Sequence, residues 1–118
     1  NEAQRAFFKS RLIELHDETR ERIREAKDEM LSPPDLSDAS DRATWEEQCA
    51  LSMRIVDREQ KLLPKIQQAL ERIRHDTHGY CEETGEPIGV RRLLVRPTAE
   101  YCADVKNFQE MKEHIYRK

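Results

Sequence analysis

The side chains best equipped for chemistry in this chain are two thiols, a cluster of carboxylates and a few scattered imidazoles. Cys81 and Cys102 lie in and just beyond the stretch that holds all 3 glycines, Gly79, Gly85 and Gly89. Structural zinc takes four cysteine or histidine donors, so a metal here would need His75 or His78 beside the two thiols, with Glu83 or Asp104 as weaker oxygen donors. In the other reading both thiols are neutral, buried small side chains and apolar packing replaces the metal. Asp38 and Asp41 stand three apart between two helical stretches, where Asp38 can cap the second helix and Asp41 can sit in its first turn, near the positive end of the dipole. A carboxylate pair can also hold a magnesium ion through its oxygens. From Leu31 to Glu47 five carboxylates face Arg42 alone, a local charge of −4, which is more than capping requires. Between Ile88 and Lys106 the balance reverses to +2, a sign that suits phosphate. His16, His75, His78 and His114 stand at no recognisable spacing from a nucleophile, and Cys49 has no local base. The chain is thus expected to act by binding and not as an enzyme.

The elements that must position these groups follow from periodicity. Phe8, Leu12, Leu15, Thr19, Ile23, Ala26 and Met30 recur at intervals of four and three, one face of a helix. Ser32-Pro33-Pro34-Asp35 breaks that helix. A second stripe of the same length follows as Leu51, Ile55, Arg58, Leu62, Ile66, Ala69 and Ile73, with Pro64 inside it expected to kink the helix without ending it. Two such narrow stripes can be buried against each other, which predicts a long antiparallel coiled-coil hairpin over residues 1–77 with its tip near 31–43. Arms of that length give a rod on the order of 40 Å. Trp45 near the tip either anchors a partner or covers the tip itself.

From His78 the helical period stops. Residues 78–118 are expected to form a small zinc-finger-like knuckle with a short β-hairpin, Val90–Val95 supplying one strand, and a C-terminal helix from about Ala99, capped by Thr98. Tyr101, Val105, Phe108, Met111 and Ile115 of that helix are expected to pack on the knuckle and the base of the hairpin. The fold class is therefore mainly α.

Composition limits the function classes. The 118 residues are 36% hydrophobic and 38% charged, too few apolar side chains for a broad globular core. No window approaches the roughly 18 apolar residues of a membrane span, and the start lacks a signal-peptide pattern. A net charge of −3 disfavours binding of the whole chain to duplex DNA, and an odd 3 cysteines argue against a disulfide framework. A cytoplasmic monomer, with no membrane and no sequence-specific DNA contact, is expected.

Two motifs then carry a resemblance. Gly79-Tyr80-Cys81-x-x-Thr84-Gly85-x-x-Ile88-Gly89-x-Arg91-Arg92-Leu93-x-x-Arg96-Pro97-Thr98-Ala99, followed by Cys102-x-x-Val105-Lys106, resembles the zinc knuckle of the DksA/TraR family. Asp38-Ala39-Ser40-Asp41-Arg42-Ala43 is similar to that family's coiled-coil tip. The resemblance covers nearly the whole chain, which starts almost at its first helix, so the preceding segment of longer members is expected to be absent. It departs from the four-cysteine set, because Thr84 and Val105 occupy the second place of each Cys-x-x-Cys pair. Neither side chain can ligate zinc as a thiolate does. Structural zinc can contribute on the order of 10 kcal/mol to folding, so Tyr80, Ile88, Leu93, Tyr101, Val105 and Phe108 would have to replace it by packing. The degenerate set Cys81, Thr84, Cys102 and Val105 looks like that of a zinc-independent member.

The resemblance implies a partner and a co-regulator. The partner is bacterial RNA polymerase, entered through its secondary channel by Asp38, Asp41 and Ala43, with Arg58 as a further polymerase contact. The co-regulator is guanosine tetraphosphate (ppGpp), held at the interface with polymerase by Leu62, Lys65, Arg96 and Lys106. The implied function is destabilisation of promoter open complexes, as at ribosomal RNA promoters in the stringent response, with no tightly bound cofactor. On residue types alone each of these cations is an ordinary solvated charge. Gre-type transcript-cleavage cofactors share the coiled-coil design and are the alternative, although they lack a cysteine knuckle and carry a different tip.

Overall fold

A computed structural model describes residues 1–31, 33 and 39–116. It contains four helices among these residues: α1 (Glu2–Leu31), α2 (Ala39–Arg74), α3 (Val90–Val95) and α4 (Ala103–Tyr116). The chain divides into two compact units, one of residues 14–65 and the other of residues 1–13 with 66–118. No helix among the described residues is long and apolar enough to cross a membrane.

α1 forms where the periodicity places it. The side-chain carbonyl of Asn1 accepts the backbone N–H of Gln4 at 2.9 Å, satisfying one of the donors that a helix start leaves unpaired. Its buried face is Phe8, Leu12, Thr19, Ile23 and Ala26, with Leu15 and Met30 half-buried.

Within residues 14–65, the second part of α1 runs antiparallel to the first part of α2. Ile23, Ala26 and Val56 form the apolar centre, flanked by Met30, Ile55 and Leu63. Here the sequence reading of α2 is corrected by one residue. Leu51 and Arg58 point to solvent, and the buried positions are Ser52, Val56 and Glu59. Two of those three are polar, so an apolar count drifts to the neighbouring residue, about 100° away around the helix. Pro64 lies inside α2, which continues to Arg74.

In the other unit Ile66, Ala69 and Ile73 of α2 are buried, as are Phe8 and Leu12 of α1. α2 ends without a glycine: Asp76 takes a left-handed φ of 61°, and the Thr77 N–H reaches back to the Arg72 carbonyl at 2.9 Å, a bond that closes helix ends. Arg5 of α1 pairs with the Asp76 carboxylate at 2.8 Å. The knuckle then folds by backbone bonds, Cys81 N–H to Glu86 carbonyl at 2.8 Å and Ile88 N–H to Gly79 carbonyl at 2.7 Å. Together these make a single antiparallel bridge, Tyr80 with Pro87. Gly79 is required there, since φ is 88° and a Cβ would sit 3.4 Å from Leu93.

Val90–Val95 is a helix and not the expected strand. With no partner edge, a strand would leave its backbone groups unpaired, whereas a helical turn closes them internally. Only Leu93 of the six is buried. The last helix likewise starts at Ala103 instead of Ala99. Residues before it are held elsewhere: Arg72 donates to the Thr98 carbonyl at 3.3 Å, and the Glu82 N–H donates to the Glu100 carbonyl at 2.8 Å. Thr98 therefore caps nothing. Phe108, Met111 and Ile115 are 63%, 64% and 63% exposed, so the expected packing of α4 holds only in part, Tyr101 and Val105 being half-buried.

Candidate functional site

The carboxylate end is set by the start of α2. Asp41 lies in its first turn, solvent-exposed, and Ala43 beside it is exposed as well. The local turn is supported by the Thr44 hydroxyl donating to the Ser40 carbonyl at 3.1 Å. Asp38, the other member of the pair, lies outside the described residues. Trp45 is half-buried.

Further along α2, Arg58, Leu62 and Lys65 share one face at intervals of four and three. They line a shallow depression of about 500 Å³ together with Arg54, Asp57, Glu59 and Lys61. The structure thus brings these three expected residues together and adds Arg54 and Lys61, which sequence reading passed over. Arg54, Arg58, Lys61 and Lys65 recur at intervals of four, three and four, a basic stripe that the same periodicity test would have found had it been applied to cations. Arg96 and Lys106 belong to the other compact unit. Arg96 follows the C-terminal end of α3, exposed, and Lys106 is half-buried in the first turn of α4.

At the knuckle, Cys81 is buried, Cys102 and Val105 are half-buried, and Thr84 is exposed. Burial pushes the Cys81 thiol up, but hydrogen bonds from the Thr84 hydroxyl and from the backbone N–H groups of Cys102, Thr84 and Glu83 outweigh it and bring the pKa down to about 6. Cys81 is buried as the packing reading expects, and the donors around it favour its thiolate form. Thr84, in the place of a second thiolate, acts as one of those donors.

The two histidines that zinc would have to recruit are otherwise engaged. His78 Nε2 donates to the Pro97 carbonyl at 2.8 Å, and its ring packs on Phe8 with centroids 5.7 Å apart. Burial, joined by the nearby Arg72 charge and opposed by the Pro97 bond, lowers its pKa below the usual 6.5. His75 Nε2 lies 3.1 Å from a Glu71 carboxylate oxygen. Glu83 and Asp104 are exposed. Among the described residues no three histidine, cysteine, aspartate or glutamate side chains group to hold a metal. This donor set does not fit structural zinc.

Two family descriptions match the chain, "DnaK suppressor protein DksA, N-terminal domain" over residues 4–73 and "Prokaryotic dksA/traR C4-type zinc finger" over residues 77–110. The RNA polymerase-binding transcription factor DksA of Caulobacter vibrioides is 40% identical, over 99% of this chain and 83% of that protein. Its counterpart in Escherichia coli K12 is 42% identical, over 96% of this chain and 76% of that protein. Among solved structures, the transcription factor DksA2 from Pseudomonas aeruginosa superimposes with a TM-score of 0.82 at 45% identity, covering 97% of this chain and 88% of that one. With both halves matched and relatives at 40% and 42% identity over nearly all of this chain, the chain belongs to the DksA/TraR family.

Proposed function

We propose that this chain is a transcription regulator that binds bacterial RNA polymerase through the secondary channel. In this reading it destabilises promoter open complexes together with ppGpp and needs no zinc. The observation that carries the reading is the similarity over nearly all of this chain, at 40% and 42% identity, to factors named for binding RNA polymerase. An exposed Asp41 and Ala43 at the start of α2 support it, because a carboxylate beside a minimal side chain can approach a crowded active centre. Asp38 is assigned to the same role.

Leu62 and Lys65 on α2, with Arg96 and Lys106 on the other unit, are assigned to ppGpp, the cations to its phosphates. Arg58, in the same depression as Lys65, is assigned to polymerase. The regulator contributes binding and charge, and any bond chemistry stays with the polymerase. Thr84 and Val105 in the places of two ligands, with His78 already bonded to the Pro97 carbonyl, support folding without metal.

The test is Asp38→Asn with Asp41→Asn, which removes two charges and keeps shape and capping. The double variant is expected to stay folded and bind core polymerase but to lose inhibition at a ribosomal RNA promoter. Inhibition that survives both changes would make these residues helix caps only. RNA cleavage by a backtracked polymerase complex, stimulated by the unaltered chain, would replace this reading with the transcript-cleavage one.

A further inference from the structure

Inside residues 14–65 the two helices bury polar groups where a coiled coil ordinarily buries aliphatic ones. Thr19 is 0% exposed, and its hydroxyl donates to the Leu15 carbonyl at 2.7 Å while accepting from Arg22 at 3.1 Å. The same guanidinium grips buried Glu59 at two points, Nε to Oε1 at 3.2 Å and Nη2 to Oε2 at 3.3 Å. Seven residues onward along α1 and seven back along α2, the hydroxyl of buried Ser52 donates to Glu29 at 3.1 Å. The apolar cluster of Ile23, Ala26 and Val56 lies between the two ties in sequence.

Such ties contribute little net stability. Taking a carboxylate out of water costs about as much as its partner returns, and apolar residues at both positions would enlarge the core. What they supply is discrimination. Apolar positions spaced by four and three repeat every seven residues, so sliding α2 by seven along α1 sets apolar on apolar again, roughly 10 Å away at 1.5 Å per residue. Slid one way, Glu29 faces Glu59, carboxylate against carboxylate. Slid the other way, Glu59 faces Leu15 and Glu29 faces Trp45. Each alignment takes from Glu59 the two-point grip of Arg22 and leaves it one long bond of 3.5 Å from its exposed neighbour Arg58, too little to offset its desolvation.

We propose that Thr19, Arg22 and Glu59, with the Glu29–Ser52 tie, form a register lock. It admits one antiparallel alignment of α1 and α2 and excludes those one heptad away. The lock fixes where the start of α2, with Asp41, stands relative to the end of α1, and it does not depend on which partner Asp41 meets.

Cys49 provides the readout, because it lies seven residues before Val56 and so comes opposite Ala26 only in a slid alignment. A disulfide needs Cα atoms within about 7 Å. In the full chain carrying Ala26→Cys, oxidised glutathione should produce almost no link between the introduced thiol and Cys49, as mapped by peptide mass. Adding Thr19→Val and Glu59→Leu together with Glu29→Gln and Ser52→Ala, with Arg22 free to reach solvent, should leave the helical circular dichroism intact and form that link at least tenfold faster. The charge swap Arg22→Glu with Glu59→Arg should return the rate to background. Equal rates with and without the lock would overturn the proposal, as would a fast link in Ala26→Cys alone. Loss of helical signal in the lock-free variant would overturn it too, since the buried polar groups would then supply stability and not alignment.

Discussion

Arg72 ties α2 to two separate stretches of the unit of residues 1–13 and 66–118. Its side chain is 12% exposed and lies 3.3 Å from Glu100 and 3.8 Å from Glu82, while the other terminal nitrogen donates to the Thr98 carbonyl at 3.3 Å. Arg72→Met keeps the length and the helix propensity but leaves the half-buried Glu100 carboxylate and the Thr98 carbonyl without their donor. A charge-assisted bond is worth roughly 1.5–3 kcal/mol; one such bond plus one neutral-acceptor bond, both somewhat long, gives about 3 kcal/mol. At about 4 °C per kcal/mol for a chain of this size, the melting temperature should fall by roughly 12 °C in a circular dichroism scan. Arg72→Lys, which reaches one acceptor, should recover about a third of that loss. A second readout comes from His78, whose pKa the Arg72 charge helps to lower, so its titration by NMR should move upward in Arg72→Met. A fall of less than about 3 °C, or a His78 titration that does not move, would refute the reasoning.

The Cys81 thiol should titrate by NMR with a midpoint of about 6, and Thr84→Val, which deletes a donor to the thiolate, should raise that midpoint. His78, with its folded pKa below the unfolded 6.5, binds protons more readily unfolded. Its contribution to stability is therefore full above pH 6.5 and is lost as the pH falls through its folded value. His78→Phe should flatten the melting temperature against pH across that window, and an unchanged slope would show that another group titrates. Lys65→Ala, Arg96→Ala and Lys106→Ala should each cut ppGpp synergy about tenfold at the 1.4 kcal/mol per decade conversion. Basal inhibition without ppGpp should persist; equal loss in both conditions would make the three docking residues.

Much of the helical frame was legible because α1 buries the face that its four-and-three spacing marks, from Phe8 to Ala26. α2 misled over its first half for a physical reason: Ser52 and Glu59 occupy core positions through hydrogen bonds, and hydropathy cannot see a partner 37 residues away such as Arg22. Val90–Val95 read as a strand on side-chain type, but a strand also needs a neighbour, which a single sequence does not show. The end of α2 carried no glycine signal, since Asp76 takes the left-handed turn and pairs with Arg5. Of the candidate site, the replacement of two family cysteines by Thr84 and Val105 is read directly from the sequence. That Cys81 keeps a donor-lined, thiolate-favouring turn depends on backbone N–H groups from three residues, which no side-chain pattern encodes.

The central claim, regulation of polymerase without zinc, is tested most directly by transcription in vitro from a ribosomal RNA promoter with protein purified in chelator and shown to be metal-free. The account predicts inhibition by the metal-free chain, deepened by ppGpp. Inhibition that appears only after zinc is restored, or none at saturating protein, would contradict it.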